Sequence, residues 1–268
     1  MSSRIRGIVA IAVLTVGCAA PASTVQPLPA TPAPAGTADP ATPPAPSVAA
    51  TQKPIPVAEL PRAEGTALTV GTHSWYLHRS GFDFPALNFT VSEEGWGNDG
   101  RFTHRGRPGS DEVQVAMQFW DVGKIYAHPC KWNGTLFDPG PTVDDLADAL
   151  YKVPLRNASA PAPVVIDGYA GKYLEWSVPV DIGTGTTEQE IFKSCDKDGA
   201  DHYFESWVGD PKGWDGDRYH QANGQIDRLW ILDVDGVRFV IDAFSMPTAT
   251  QAEIDSLVGV VESIRFER

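Results

Sequence analysis

The feature that most limits what this chain can fold into is the composition of residues 19–60. This stretch holds 11 of the 23 prolines, no aromatic residue, and only Asp39, Lys53 and Glu59 as charged side chains. Such a segment cannot bury enough apolar surface to offset the entropy that folding removes. We therefore predict a disordered spacer over residues 18–60, biased towards extended polyproline II conformations, and a single globular domain over residues 61–268.

The first eighteen residues follow the pattern of a secretory signal. Arg4 and Arg6 precede an apolar run over 8–16, which is too short to span a bilayer core about 30 Å thick. Gly17 and then Cys18 follow, an arrangement that resembles a bacterial lipoprotein signal. The resemblance implies cleavage after residue 17 and lipidation of Cys18. The domain would then be anchored at the outer face of the cytoplasmic membrane and extend into the cell wall. The alternative is an ordinary cleaved signal.

Two further cysteines, Cys130 and Cys195, lie in the globular region. An even pair outside the cytoplasmic membrane most often closes a disulfide, and we expect one here. The alternative is a metal site that also uses His128 and His202, but the spacings match no common zinc motif. We expect neither a metal ion nor a cofactor.

Strand patterns are clearest near the middle and the end of the chain. Apolar residues alternate over Val113–Phe119, which indicates a strand with one buried face. Leu229–Val234 and Val237–Phe244 flank Asp235-Gly236, a strong signal for a two-residue hairpin. Both faces of this hairpin are apolar, so we expect central strands in a sheet that is covered on both sides.

Two amphipathic segments begin with capping signals, Thr142 with Asp145 and Thr250 with Glu253. Each predicts a helix with one apolar face. Helices distributed among strands predict an α+β fold, an antiparallel β-sheet covered by helices.

Two stretches resemble PsbP-like domains. Phe89–Trp96 (Phe-Thr-Val-Ser-Glu-Glu-Gly-Trp) is similar to their opening, and Glu262–Phe266, after an amphipathic helix, is similar to their end. The LpqN-type lipoproteins of actinobacteria share that fold and the same order of anchor and spacer. Segments Asp121–Trp132, Gly140–Leu150 and Arg228–Ala243 are also similar to actinobacterial lipoproteins. The resemblance implies a PsbP-like α/β/α sandwich and an accessory or binding role without a catalytic residue set.

The chain is acidic, with a net charge of −13, which disfavours nucleic acid as a partner. The common hydrolase and nucleotide-binding motifs are absent from the sequence. We therefore expect a non-enzymatic, membrane-anchored lipoprotein, an accessory or binding module with an envelope protein or a glycan as partner. The alternatives are a small-molecule or glycan-binding sensor or scavenger, which a pocket with converging Trp and Asp side chains would favour, and a cryptic hydrolase. A histidine close to a serine or aspartate in a cleft would favour the hydrolase.

The stretch Gly209–His220 is the best candidate for a binding element because it combines glycines, acids and aromatic residues on a long connection. A polar loop held by one buried aromatic residue is the alternative. Trp96 and Trp132 also lie among small and polar residues, which favours surface contact. The candidate binding residues are Trp96, Trp132, Trp214, Asp215, Asp217, Tyr219 and His220.

Overall fold

This computed structural model describes residues 57–59, 66–75, 78–79, 82–83, 85–99, 102–106, 112–182, 191–210 and 216–267. They belong to one compact unit, Gln52–Arg268. The predicted signal, the predicted lipidation site Cys18 and most of the predicted spacer lie outside the described residues. Neither of the two α-helices in the described part is long and apolar enough to cross a membrane.

Strands dominate the described residues. The helices are α1 Val143–Tyr151 and α2 Gln251–Glu262. The strands are β1 Val57–Glu59, β2 Thr66–Ala67, β3 Gly71–Trp75, β4 His78–Arg79, β5 Phe82–Asp83, β6 Leu87–Val91, β7 Trp96–Asn98, β8 Phe102–Gly106, β9 Val113–Trp120, β10 Val122–Tyr126, β11 Leu136–Phe137, β12 Ala162–Ile166, β13 Tyr169–Ser177, β14 Lys197–Asp198, β15 Asp201–His202, β16 Glu205–Gly209, β17 Asp217–Tyr219, β18 Ile226–Val234, β19 Val237–Ser245 and β20 Arg265–Phe266.

The centre of the fold is an antiparallel sheet in the order β12-β13-β18-β19-β9-β8-β7-β2. Its long strands carry apolar residues on both faces, because alternate side chains of a strand point to opposite sides. Trp230, Leu232 and Ile241 face one core, whereas Ile231 and Val240 face the other. The expected central strands, covered on both sides, are therefore present.

Each face of the central sheet is covered by one helix and one smaller sheet. The first core contains residues of α2 and of the sheet β1-β3-β6-β20, including Leu257 and Phe89. The second core contains residues of α1 and of the sheet β11-β10-β16-β17, including Leu146 and Trp207. The sheet β11-β10-β16-β17 and the segment that precedes β16 form the candidate site.

The predicted fold class is wrong in its main point. The structure is mostly β-sheet with two short helices among the described residues, not an antiparallel sheet covered by helices. The sequence predicted the buried faces of the central sheet, and we assumed that helices would cover them. Short strands such as β16 and β6 cover much of that area instead.

Several local predictions hold, and two fail. Both capping boxes form, at Thr142 and Thr250. The turn at Asp235-Gly236 has positive φ at both residues, as the hairpin type requires. However, β1 pairs with β3, so ordered structure begins inside the predicted spacer. The sequence of Glu190–Cys195 also predicts a strand, but its described part is the last residue of a helix at 191, followed by a turn and a bend over 192–195.

Candidate functional site

The structure brings some of the predicted binding residues together and separates others. Trp96 is only 1% exposed and lies in the first core, so it cannot make the surface contact that the sequence favoured. Trp214 and Asp215 lie outside the described residues. Trp132, Asp217 and Tyr219 lie at or beside the small sheet β11-β10-β16-β17.

The disulfide expected between Cys130 and Cys195 is present. It joins the segment after β10 to the segment before β14, so the alternative metal site loses both cysteine ligands. Phe192 and Phe204 pack with the two cysteines in a small buried cluster. No group of three or more His, Cys, Asp or Glu in the described part of the chain is placed to hold a metal ion.

A β-bulge in β16 determines which side chains at the site point towards the core and which lie on the face of Tyr219. Glu205 pairs with Tyr219 and Trp207 pairs with Arg218, so Ser206 is the extra residue of the bulged strand. Glu205 and Tyr219 are direct cross-strand neighbours, which places their side chains on the same face. Ser206 and Trp207 are fully buried.

Three tyrosines, a tryptophan and an aspartate cluster beside this sheet, and we call this group (Tyr126, Trp132, Tyr203, Asp217 and Tyr219) the tyrosine surface. Tyr126 is buried, Trp132 and Tyr203 are half-buried, and Asp217 and Tyr219 are exposed. The rings of Tyr203 and Tyr219 lie 5.3 Å apart, and those of Tyr126 and Trp132 lie 5.9 Å apart. Trp132 Nε1 donates to the carbonyl oxygen of Tyr203 at 3.0 Å, and the Tyr126 hydroxyl donates to Asp217 Oδ1 at 3.2 Å. Tyr219 is 44% exposed and therefore available to a ligand.

Two small cavities flank Tyr219. One of about 100 Å³ is lined by Phe192, Asp201, His202, Tyr203, Tyr219, His220 and Gln221. The other, of about 70 Å³, is bordered by Asp217, Arg218 and Phe244, among others. The first has space for several waters or for the end group of a small organic molecule. Its walls combine aromatic rings with a few polar groups, the usual composition of a ligand site.

A larger groove of about 390 Å³ lies elsewhere, between the start of α1 and the β18–β19 hairpin. Its cationic side chains already have partners. Lys172 Nζ lies 3.2 Å from Asp144, and Arg238 donates to the carbonyl oxygens of Gly140 and Val122. The groove therefore offers a ligand less than its volume suggests.

A buried polar network lies behind the tyrosine surface. Arg218 donates from Nε to Asp242 Oδ2 at 2.6 Å and from Nη2 to Asp227 Oδ1 at 2.7 Å. The Arg156 guanidinium lies between the rings of Trp176 and Phe204, 4.5 and 4.4 Å from their centres. The residues of this inner network, all buried, are Arg156, Ser206, Arg218, His220, Gln225, Asp227 and Asp242.

Ser206, His220 and Asp227 superficially match the spatial arrangement of a serine-hydrolase triad, in which a histidine lies between the serine and the acid. Ser206 Oγ lies 2.7 Å from His220 Nε2, and His220 Nδ1 lies 3.2 Å from Asp227 Oδ2. However, Gln225 Nε2, which can only donate, lies 3.1 Å from His220 Nδ1. This contact makes Nδ1 an acceptor and leaves the proton on Nε2, the wrong tautomer for a base that activates serine.

Two further observations separate this arrangement from a working triad. Although Asp227 Oδ2 lies 3.2 Å from His220 Nδ1, it makes no hydrogen bond of acceptable geometry within the described part of the structure, so the aspartate does not orient the histidine. Ser206 is fully buried and its hydroxyl oxygen accepts from Arg156. Burial also lowers the pKa of His220 well below 6.5, so its imidazole is neutral. The geometry fits a structural network better than a reaction centre.

Glu205 connects the two sides of the site. It is 4% exposed, and its backbone oxygen accepts from Arg156. Burial, and then the negative charge of Asp217, raise the pKa of its carboxyl to about 8, while Arg218 and Arg156 oppose the increase. The carboxyl is therefore mainly protonated at neutral pH.

This shift predicts that stability falls between pH 6.5 and pH 8. A carboxyl with a raised pKa binds more protons in the folded state than in the unfolded state. Its contribution to the free energy of unfolding is therefore lost as pH rises from 4.5 to about 8. His220 acts in the opposite direction, but only below its unfolded pKa of 6.5. We expect the free energy of unfolding to drop by about 2 kcal/mol across that interval. Urea unfolding at both pH values measures the drop. Glu205→Gln should remove it, and an unchanged drop in this variant would contradict the assignment.

Comparisons with known proteins find similarity only among solved structures, and it is distant. No protein-family model matches the chain, and no curated protein sequence matches it. The solved structure of LpqN from Mycobacterium tuberculosis, described as involved in cell envelope biogenesis, is similar with a TM-score of 0.37 and 9% identity. The match covers 74% of this chain and 92% of LpqN. LpqN gives its name to the lipoprotein type that the sequence resembles, but the similarity is too low to show that this chain belongs to that family.

Proposed function

We propose that this protein is a non-enzymatic lipoprotein of the bacterial envelope, anchored through Cys18, that binds a small molecule or glycan at the tyrosine surface. The observation that carries the proposal is the pair Tyr203 and Tyr219 beside a cavity of about 100 Å³. Tyr219 is exposed and Tyr203 is half-buried, and partly open aromatic rings with polar groups beside them suit both sugars and small organic ligands. The cavity favours ligand capture over a purely structural accessory role.

The hydrolase alternative has one observation in its favour, the short contact between Ser206 and His220. Three observations support the non-enzymatic proposal instead: Ser206 is buried, His220 carries its proton on Nε2, and Asp227 Oδ2 makes no hydrogen bond to the histidine. A fluorophosphonate probe, which labels activated serines, distinguishes the two. We expect no labelling, whereas labelling that disappears in Ser206→Ala would establish the hydrolase.

Binding at the tyrosine surface predicts a specific effect of Tyr219→Ala. We expect affinity to weaken at least about tenfold, because a recognition residue is lost, with little change in stability. Tyr151→Ala is the matched control, since Tyr151 is 45% exposed and Tyr219 is 44% exposed. The measurement is saturation-transfer NMR and titration of the full chain with the neutral N-acetylglucosamine disaccharide and with soluble cell-wall fragments. Failure of the wild-type protein to bind any of these, or equal binding by both variants, contradicts the proposal.

Anchoring through Cys18 predicts how the protein partitions. In a bacterial host, the wild-type precursor should sediment with membranes and Cys18→Ser should be soluble, because two acyl chains hold a protein stably at a bilayer. The measurement is membrane fractionation followed by immunoblotting. A Cys18→Ser protein that still partitions fully with the membrane would show that the anchor lies elsewhere.

A further inference from the structure

One carboxylate oxygen behind the tyrosine surface has no partner. Glu205 Oε2 is buried and makes no hydrogen bond to any residue that the structure describes. A buried acceptor without a donor is costly, so such an atom in a native structure requires an explanation. A hydrogen-bond donor supplied by a ligand would satisfy it.

The charges around Glu205 do not balance without an additional cation or proton. In the inner network, two guanidinium groups, Arg156 and Arg218, face two aspartates, Asp227 and Asp242. Glu205 is a third carboxyl beside this balanced set. Towards the tyrosine surface, the groups whose charge acts on it are also acids, Asp217 and Asp198. In the free protein a proton removes this imbalance, since the pKa of Glu205 is raised to about 8. An ammonium ion supplied by a ligand could replace that proton and serve as the counter-charge of the carboxylate.

The aromatic rings at the same place suit a cation. Tyr219 is the direct cross-strand neighbour of Glu205, so their Cβ atoms are about 5 Å apart. The ring of Tyr203 lies 5.3 Å from that of Tyr219. A cation over a tyrosine face is attracted by the negative face of the ring, and more strongly where water is excluded. Glu205 does not line either cavity, but it lies directly across the strand pair from Tyr219, so a cation held over the Tyr219 ring would lie near its carboxyl.

The chemistry of the missing partner favours an organic ammonium group. The described part of the chain has no set of ligands placed for a metal ion. A quaternary ammonium has no N–H to donate to Glu205 Oε2, whereas a primary ammonium has three. We infer that the tyrosine surface binds the primary ammonium group of an amine or amino sugar, with Glu205 as its counter-charge; this inference rests on the proposed function.

Matched probes that differ in charge test the inference. Butylammonium against 1-butanol and glucosamine against glucose are titrated into the full chain at pH 7 and followed by NMR. We expect each cation to bind at least about tenfold more tightly than its neutral counterpart. Binding by butylammonium and glucosamine alike would identify the ammonium group as sufficient, and binding by glucosamine only would identify an amino sugar.

Variants separate this inference from the proposed function. Glu205→Gln keeps the shape and removes the charge, and it should abolish the preference for the cation. Glu262→Gln, on the exposed side of α2, is the control and should leave the preference unchanged. Asp217→Asn, at an exposed site, should weaken cation binding several-fold and serves as a second variant if Glu205→Gln unfolds.

Equal affinity for charged and neutral probes would overturn the inference but leave glycan binding intact. If neither butylammonium nor glucosamine binds, the ammonium inference is also wrong. The proposed function is then decided separately, by whether the neutral disaccharide binds. A preference for the cation that survives in Glu205→Gln and in Asp217→Asn would show that the carboxyls are not the counter-charge.

Discussion

Replacement of Arg218 with leucine is expected to lower the free energy of unfolding by about 3–5 kcal/mol. Arg218 is 2% exposed and is the shared partner of Asp227 and Asp242, neither of which is exposed. Its removal leaves two buried carboxylates without an ion-pair partner, because Arg156, the other guanidinium of the network, bonds to Glu205 and Ser206 instead. The guanidinium also covers the ring of Phe244, 4.8 Å from the ring centre, so packing is lost as well.

The matched control is Arg105→Leu. Arg105 makes two hydrogen bonds to the carboxylate of Glu93, at 2.7 and 3.0 Å, but that carboxylate is 44% exposed. An exposed pair of this kind contributes up to about 1 kcal/mol. Urea unfolding of both variants compares the two sites. Similar small losses at both would show that the inner network is not held together by Arg218.

Local sequence patterns predicted the central strands and both helices of this fold, but not the elements that cover the central sheet. Alternation over Val113–Phe119 and the signal at Asp235-Gly236 predicted the central strands, because side-chain period and turn geometry are local properties. The capping boxes predicted both helices for the same reason. What covers the sheet depends on contacts between distant segments, and short strands such as β16 lack a strong local pattern. The helix-covered sandwich was therefore the wrong prediction.

The site shows the same division. Trp132, Asp217 and Tyr219 were found because aromatic and acidic residues in a loop-rich region are visible in the sequence. Glu205 was missed, since its role depends on a bulge and on the neighbours across the ladder. Asp242 did leave a signal, because an aspartate inside an apolar strand must have a buried partner. Following that signal would have led to the inner network, although not to Arg218 as the partner.

The inner network and the tyrosine surface are consecutive layers of the same strands. Because of the bulge at Ser206, the Ser206 side chain points into the buried network while the Glu205 side chain lies on the face of Tyr219. Rigid support from the buried layer reduces the ordering cost that a ligand would otherwise meet at the surface. Substitution of a network residue that lines neither cavity, such as Asp242, should therefore still weaken binding by shifting the position of β17.

Removal of the disulfide is expected to cost about 4 kcal/mol, given a sequence separation of 65 residues between Cys130 and Cys195. The cross-link restricts the unfolded chain, and it also closes the small core that contains Phe192 and Phe204. The neighbouring backbone is held to it, since Asp196 N donates to the carbonyl oxygen of Cys130 at 2.8 Å.

The experiment compares the wild-type protein with the double variant Cys130→Ala/Cys195→Ala by urea unfolding, with and without a reductant. Reductant should destabilise the wild-type protein and leave the double variant unchanged, which controls for effects of the reagent itself. Because Tyr203 follows Cys195 along the chain and lines the cavity with Tyr219, ligand affinity should fall together with stability. A loss of stability without any loss of affinity would show that the segment after Cys195 is held by its other contacts, such as the hydrogen bond from Trp132 to Tyr203.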